Sequence, residues 1–188
     1  MKNVLYGKCV KCGRTYPATP DLTTCECGGI LDITYDYDYI KTQLTKEKLA
    51  ERAERTMWRY RELLPIEDST QPTPLRVGWS PLYEEPRLAA QLGLKQLWVK
   101  DDGQNPTASL KDRASAMAVA KAREAGAKVI ACSSTGNAAS SLAGNAAAGL
   151  DRKLARQWWG GVGVFMESGS LTVSYTHLRA HETGAYLV

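Results

Sequence analysis

Two short stretches decide the fold of this chain. Residues 105–113 read Asn-Pro-Thr-Ala-Ser-Leu-Lys-Asp-Arg, and residues 133–137 read Ser-Ser-Thr-Gly-Asn. Each stretch follows an apolar run of strand length and opens a run with helical spacing. The elements predicted around them are, in order, a helix over 86–92, a strand over 96–100, a helix over 109–125, a strand over 128–132 and a helix over 137–148. This alternation predicts an α/β domain with a parallel sheet.

Both stretches are expected at the carboxyl ends of the predicted strands, where open α/β sheets bind their ligands. Ser109 followed by Asp112 is typical of a capped helix start. The helix that opens at Asn137 has free N–H groups that suit a carboxylate or a phosphate. Lys111 lies at the positive end of the preceding helix, where an amine can act as a nucleophile. The residues alone predict an anion site, although a solvated lysine and an ordinary turn would give the same pattern.

The two stretches together resemble the lysine motif and the asparagine loop of fold-type II pyridoxal-phosphate (PLP) enzymes, the tryptophan-synthase-β-like group. Residues 105–113, the run Ser-Thr-Gly-Asn-Ala-Ala-Ser over 134–140 and the cysteine pairs near the N-terminus are most similar to the threonine synthase family. The resemblance covers roughly residues 5–150. It implies that the chain holds the first part of a fold-type II PLP domain.

The resemblance also implies a role for each matching residue. Lys111 would form the Schiff base with PLP and later move protons at the substrate carbons. Asn137 would hydrogen-bond the phenolic oxygen of the cofactor ring. Ser134, Thr135 and Gly136 would hold the substrate carboxylate. The implied reaction is that of a PLP-dependent lyase, which converts O-phospho-L-homoserine and water to L-threonine and phosphate.

Other members of the same group remain open as alternatives. Serine/threonine dehydratases usually carry histidine after the asparagine of the loop, and this chain has Ala138. Cysteine synthases have a loop closer to Thr-Ser-Gly-Asn-Thr and lack the cysteine pairs. A cysteate synthase-like enzyme, as a close relative within the group, also remains open.

Four cysteines form two tight pairs within the first 35 residues. Cys9 and Cys12 are separated by two residues, Cys25 and Cys27 by one, and a glycine follows each pair. Four thiolates at this spacing are typical of a structural zinc site. A segment of this length buries little apolar surface, so a metal would supply its folding energy. Disulfides and unliganded thiols are the alternatives, and disulfides fit poorly in a chain without an evident signal segment. We therefore predict a zinc ribbon over residues 1–35.

Such a ribbon could also be a binding module for nucleic acid or protein. The basic and aromatic side chains that a nucleic-acid surface needs are few here: Lys8, Lys11 and Arg14, with Tyr6 and Tyr16 nearby. A ribbon inside an enzyme is the preferred interpretation, and no nucleic-acid partner is expected.

The composition narrows the classes of protein that remain possible. The 188 residues are 44% hydrophobic and 23% charged, with a net charge of +4, which is ordinary for a globular protein. The two histidines, His177 and His181, lie near the C-terminus, so a Ser-His-Asp triad or a histidine-bound metal cannot form before them. No apolar run is long enough to span a membrane and none resembles a signal core, so a cytoplasmic protein without a membrane partner is expected.

The sequence divides into four segments. They are a zinc ribbon over 1–35, a helical and loop connection over 36–85, a partial PLP domain over 86–150 and a non-native or frameshifted tail over 151–188. The family's phosphate-binding glycine loop and its contact to the pyridine nitrogen are expected beyond Leu150. The chain as written is therefore expected to be inactive. Whether a longer parent forms homo-oligomers is left open by the sequence.

Overall fold

The computed structural model describes residues 1–19, 22–127, 130, 132, 134 and 136–149, together with the backbone of 162–167 and 170–175. These residues form two compact units. The first contains residues 1–72 with 120–127, and the second contains residues 73–119 with the described residues from 130 onward. None of the helices in these ranges is both long and apolar enough to cross a membrane.

The first unit begins with an antiparallel sheet of three strands. Its strands are β1 (Val4–Cys9), β2 (Thr15–Tyr16) and β3 (Leu31–Tyr35), in the order β2-β1-β3. The register places Cys9 opposite Leu31, and the backbone N–H of Val10 donates to the carbonyl of Ile30 at 3.1 Å. The sheet thereby brings the loops that hold both cysteine pairs to the same end.

Short helices follow the sheet: α1 (Tyr37–Gln43), α2 (Lys46–Glu51) and a 3₁₀ segment (Met57–Leu63). The helical spacing over 45–64 predicts one continuous helix, and that prediction is wrong. Thr45 caps α2 through the N–H of Lys48, but the chain becomes extended at Arg52. The Arg52 guanidinium pairs with Glu62, and Arg59 donates to the carbonyl of Leu49. These tertiary contacts override the local helical pattern.

From residue 86 onward, the helices predicted from the sequence are confirmed within two residues at each end. They are α3 (Pro86–Gln91), α4 (Lys111–Glu124) and α5 (Asn137–Gly149). Gly126 ends α4 with a φ of +64°, which a glycine adopts without strain. Val119 of α4 and Ala146 of α5 are buried against each other, with Ile130 and Leu142 packed beside them. This contact fixes the two helices that follow the motif stretches.

In the second unit, one predicted strand pairs with a strand that the sequence analysis did not predict. The predicted strand over 96–100 is present as β5 (Trp98–Lys100), but it pairs antiparallel with β4 (Leu82–Glu84). The predicted strand over 128–132 lies largely outside the described residues, so the parallel sheet stays a prediction. The described residues do have an α/β arrangement. Of the predicted tail, the structure describes the backbone of an antiparallel hairpin, β6 (Val162–Glu167) and β7 (Ser170–Tyr175). The rest of residues 151–188, which the sequence predicts to be a non-native or frameshifted tail, lies outside the described residues.

An ion pair joins the end of β5 to helix α4. The Arg113 guanidinium donates to both carboxylate oxygens of Asp102, at 2.7 and 3.1 Å, and the Ser80 hydroxyl donates to the same carboxylate. The Arg113 hydrogen bond, followed by the Ser80 hydrogen bond, lowers the pKa of Asp102 to about 2. A two-pronged, charge-assisted contact of this kind fixes geometry as well as adding energy. The ion pair connects Asp102, which lies just before the lysine motif, to Arg113, the last residue of the motif.

We predict that Asp102→Asn lowers the free energy of unfolding by about 1–2 kcal/mol near neutral pH, a value reduced from the pKa shift because the pair is partly solvated. The folded-state pKa of Asp102 is depressed, so its contribution is present above the ordinary carboxyl range. It is lost as the pH falls from about 4 towards 2. Urea unfolding of both proteins across this range measures the effect. Glu84→Gln, at an exposed strand position, is the control. A wild-type–variant difference that persists at pH 2 would contradict the prediction.

Candidate cofactor and metal sites

The four N-terminal cysteines lie together in the first unit. The sulfur atoms of Cys9, Cys12, Cys25 and Cys27 are all within 4.8 Å of one another. The Cys9–Cys27 sulfur distance is 3.5 Å and the Cys12–Cys25 distance is 3.6 Å. These separations are far longer than a disulfide bond of about 2.05 Å. They are close to the edge of about 3.8 Å in a tetrahedron with Zn–S bonds of about 2.3 Å. The arrangement fits zinc.

Two similar turns present the paired sulfurs. In the first, the N–H groups of Lys11 and Cys12 point at the Cys9 sulfur, at 3.4 and 3.5 Å. In the second, the N–H of Gly28 donates to the Cys25 carbonyl at 2.8 Å, with a φ of +75° at the glycine. Backbone N–H groups directed at sulfur stabilise the thiolate, which is the form that binds a metal.

Gly29 makes the close approach of the two turns possible. A β-carbon at this position would lie 2.5 Å from the Cys9 sulfur and 2.8 Å from the β-carbon of Lys11. No side chain can occupy that space unless the sulfur moves. Gly29 is therefore required because any side chain there would contact the sulfur cluster. The sequence pattern alone did not assign Gly29 that function.

Polar contacts favour the ionised form of two of the sulfurs. The Tyr16 hydroxyl lies 3.1 Å from the Cys25 sulfur, and this hydrogen bond lowers the pKa of Cys25 to about 6. The backbone N–H of Cys12 lowers the pKa of Cys9. Tyr16 is a contributor that the cysteine spacing does not reveal. A tyrosine on the strand between the two cysteine pairs is the signal that could have identified it.

Lys111 is the first residue of α4 and is exposed. Within the part of the chain that the structure describes, its amine has no hydrogen-bond or ion-pair partner. The backbone before it is held firmly. The buried Asn105 side chain accepts from the N–H of Gly78 at 2.9 Å and donates to the Asp102 carbonyl at 2.9 Å. The buried Ser109 hydroxyl accepts from the N–H of Lys111 at 3.2 Å. The exposed Lys111 amine therefore extends from a backbone that is held by buried polar side chains.

The neighbouring residue, Asp112, does not form the reciprocal capping bond that the sequence predicts. Its carboxylate is fully buried and accepts from the N–H of Thr107 at 2.7 Å and from the Thr107 hydroxyl at 2.8 Å. It also accepts from Ser141 at 2.6 Å and from Asn145 at 2.9 Å, both on α5. Sequence reasoning missed this group. Two polar residues four apart in an alanine-rich helix were the available signal.

The second motif stretch is described in part. Asn137 is the first residue of α5 and is exposed. The N–H of Gly136 donates to the Ser134 hydroxyl at 3.3 Å. Thr135 lies outside the described residues. The first N–H groups of a helix of 13 residues have no partners within the helix, so they remain available to an anionic group.

Known proteins are similar to this chain over the same residues. The sequence profile of the pyridoxal-phosphate dependent enzyme family matches residues 73–153. The threonine synthase of Methanocaldococcus jannaschii is 47% identical over 136 residues, which are 72% of this chain and 33% of that protein. The threonine synthase of Methanosarcina acetivorans is 43% identical over 137 residues, again 72% of this chain and 33% of the relative.

The threonine synthase of Synechocystis is 46% identical over 85 residues, which are 45% of this chain and 22% of that protein. The chain thus spans about a third of the length of the first two relatives. Residues 73–153 match the pyridoxal-phosphate dependent enzyme family, and the chain is similar in sequence to threonine synthases.

Proposed function

We propose that this chain supplies the lysine and asparagine of a PLP-dependent enzyme that converts O-phospho-L-homoserine and water to L-threonine and phosphate. The observation that carries the proposal is the amine of Lys111, which has no partner among the described residues, on a motif whose buried polar residues fix its backbone. Relatives named threonine synthase are 43–47% identical to this chain over 136 and 137 residues.

The described residues fit such a cofactor. An aldehyde needs a reachable amine, which Lys111 provides, and the cofactor's anionic groups need donors, which the start of α5 provides. Bound PLP would supply an electron sink for carbanion chemistry. Lys111 would hold the cofactor covalently and would take and return protons at the substrate carbons. Asn137 would donate to the phenolic oxygen. Ser134, Thr135 and Gly136 would orient the substrate carboxylate.

We expect PLP, added at a limiting concentration and fixed by borohydride, to label Lys111 several-fold more than any other lysine. Peptide mass spectrometry measures the labelling. Lys111→Ala removes the reacting amine, and because the side chain is exposed the variant should unfold at the same temperature as the wild type. Lys95→Ala, at another exposed lysine of the same unit, should leave the labelling unchanged. Uniform labelling of all lysines would contradict the cofactor role.

The reaction itself is tested in a chimera. Residues of this chain replace the 136 aligned residues of the M. jannaschii threonine synthase, and phosphate release from O-phospho-L-homoserine is measured. We expect turnover that Lys111→Ala abolishes, by at least about 10³-fold if Lys111 both holds the cofactor and moves protons. Keto-acid formation from serine or threonine without phosphate release would instead favour the dehydratase alternative.

We also propose that Cys9, Cys12, Cys25 and Cys27 bind one structural zinc ion. Their sulfur separations support a tetrahedral site. Elemental analysis should find about one zinc per chain, and chelation should lower the thermal stability of the first unit, because ligand-stabilised folding is lost with the metal. Cys12→Ser should lose zinc. Cys132→Ser, outside the cluster, should retain it. Full zinc content in Cys12→Ser would contradict the assignment.

Gly29 gives a second test of the same site. Gly29→Ala places a methyl group where the Cys9 sulfur lies, so zinc affinity should fall by about tenfold or more. Gly13→Ala is the matched control, since its φ of +75° costs about 1 kcal/mol but its β-carbon meets no atom within 4 Å. Competition with a chromophoric chelator measures both affinities. Equal affinities in the two variants would show that contact with the sulfur is unimportant.

A further inference from the structure

A fully buried carboxylate lies one residue after Lys111. One oxygen of Asp112 accepts from the N–H of Thr107, and the other accepts from the hydroxyls of Thr107 and Ser141 and from the amide of Asn145. All four distances are between 2.6 and 2.9 Å. A carboxylate removed from water is tolerated only when its oxygens are satisfied in this way. All four donors are therefore held by the same buried carboxylate.

The Asn145 amide shows how strongly the carboxylate determines its surroundings. Its nitrogen donates to Asp112 and to the Ser141 carbonyl, while its buried oxygen has no partner among the described residues. Reversing the amide would place two oxygen atoms against each other. The side chain leaves an acceptor unsatisfied rather than lose its bond to Asp112.

The donors come from the two segments that carry the motif stretches. Thr107 belongs to the loop that leads into Lys111. Ser141 and Asn145 lie four and eight residues after Asn137, so all three share one face of α5. Fixing Ser141 and Asn145 against Asp112 therefore fixes the position and rotation of the helix that begins at Asn137.

We infer that Asp112 is a positioning residue, whose carboxylate sets the Lys111 loop and the Asn137 end of α5 in register with each other. The inference rests on the proposed function for its purpose, since that function needs the lysine and the asparagine to act on one cofactor. Asp112 itself stays buried and takes no part in the chemistry. Its directional hydrogen bonds add to the apolar contact that Val119 and Ala146 make between α4 and α5.

Asp112→Asn removes the backbone hydrogen bond to the loop. The remaining carbonyl oxygen can keep the donors from α5 and the Thr107 hydroxyl, while the new NH₂ group faces the N–H of Thr107, and two donors cannot pair. Ser115→Ala is the matched control. Ser115 is buried and its hydroxyl lies 2.8 Å from that of Ser141, with no bond to the carboxylate. Removing it perturbs the same polar cluster without releasing the loop.

The test uses the full chain with PLP as the probe, at a temperature where circular dichroism shows each variant folded. We expect Asp112→Asn to reduce borohydride-fixed labelling of Lys111, relative to Lys95, by at least tenfold. We also expect faster amide hydrogen exchange at Thr107. Ser115→Ala should leave both unchanged. Labelling that falls in both variants in proportion to their melting temperatures would show a purely structural role and overturn the inference. So would unchanged labelling and exchange in Asp112→Asn.

Failure of the proposed function would be recognised separately. If wild-type Lys111 is labelled no more than Lys95, the cofactor role fails, and hydrogen exchange then decides the positioning role. Faster exchange at Thr107 and at residues 138–140 in Asp112→Asn, but not in Ser115→Ala, would support the coupling of loop and helix. Exchange equal to that of the wild type would overturn it.

Discussion

The carboxylate of Asp112 is the contact on which the lysine motif depends. Its burial would be costly without partners, and the cost is offset because both of its oxygens accept hydrogen bonds, two from Thr107 and two from α5. The loop before Lys111 is irregular, with Ala108 in the left-handed region at a φ of +55°. An irregular backbone of this kind persists only where surrounding contacts determine it fully. Asn105 and Ser109 hold its two ends, and Asp112 holds its middle at Thr107.

The cysteine cluster is built on a different physical basis. Its unit has a small sheet and few buried apolar side chains near the sulfurs, so the turns are fixed by backbone hydrogen bonds and by the close approach at Gly29. Four sulfurs at these separations repel one another when ionised, and a divalent cation would remove that repulsion. The lysine motif needs no ion for its shape. Its anionic group is a protein side chain with protein donors.

The sequence predicted those features that depend on local chemistry. Helices α4 and α5 begin within two residues of their predicted starts, Gly126 ends α4 with a positive φ, and the paired cysteines lie together as their spacing predicts. The cap expected at Asp112 is replaced by bonds to Thr107 and to α5. Features that depend on distant residues could not be predicted in this way. The helix expected over 45–64 breaks because Arg52 pairs with Glu62, and β5 pairs antiparallel with β4 through a partner that periodicity cannot identify.

The same distinction explains which site residues were found. Lys111 and Asn137 stand at helix starts, where residue type and position together indicate chemistry. Asp112 looked like part of a cap, because its true donors, Ser141 and Asn145, lie about 30 residues away in the sequence. A sequence motif identifies the reacting groups, because these must be particular residues at particular positions. The residues that align the reacting groups can be any that form the necessary hydrogen bonds. Only the folded structure shows which residues form them.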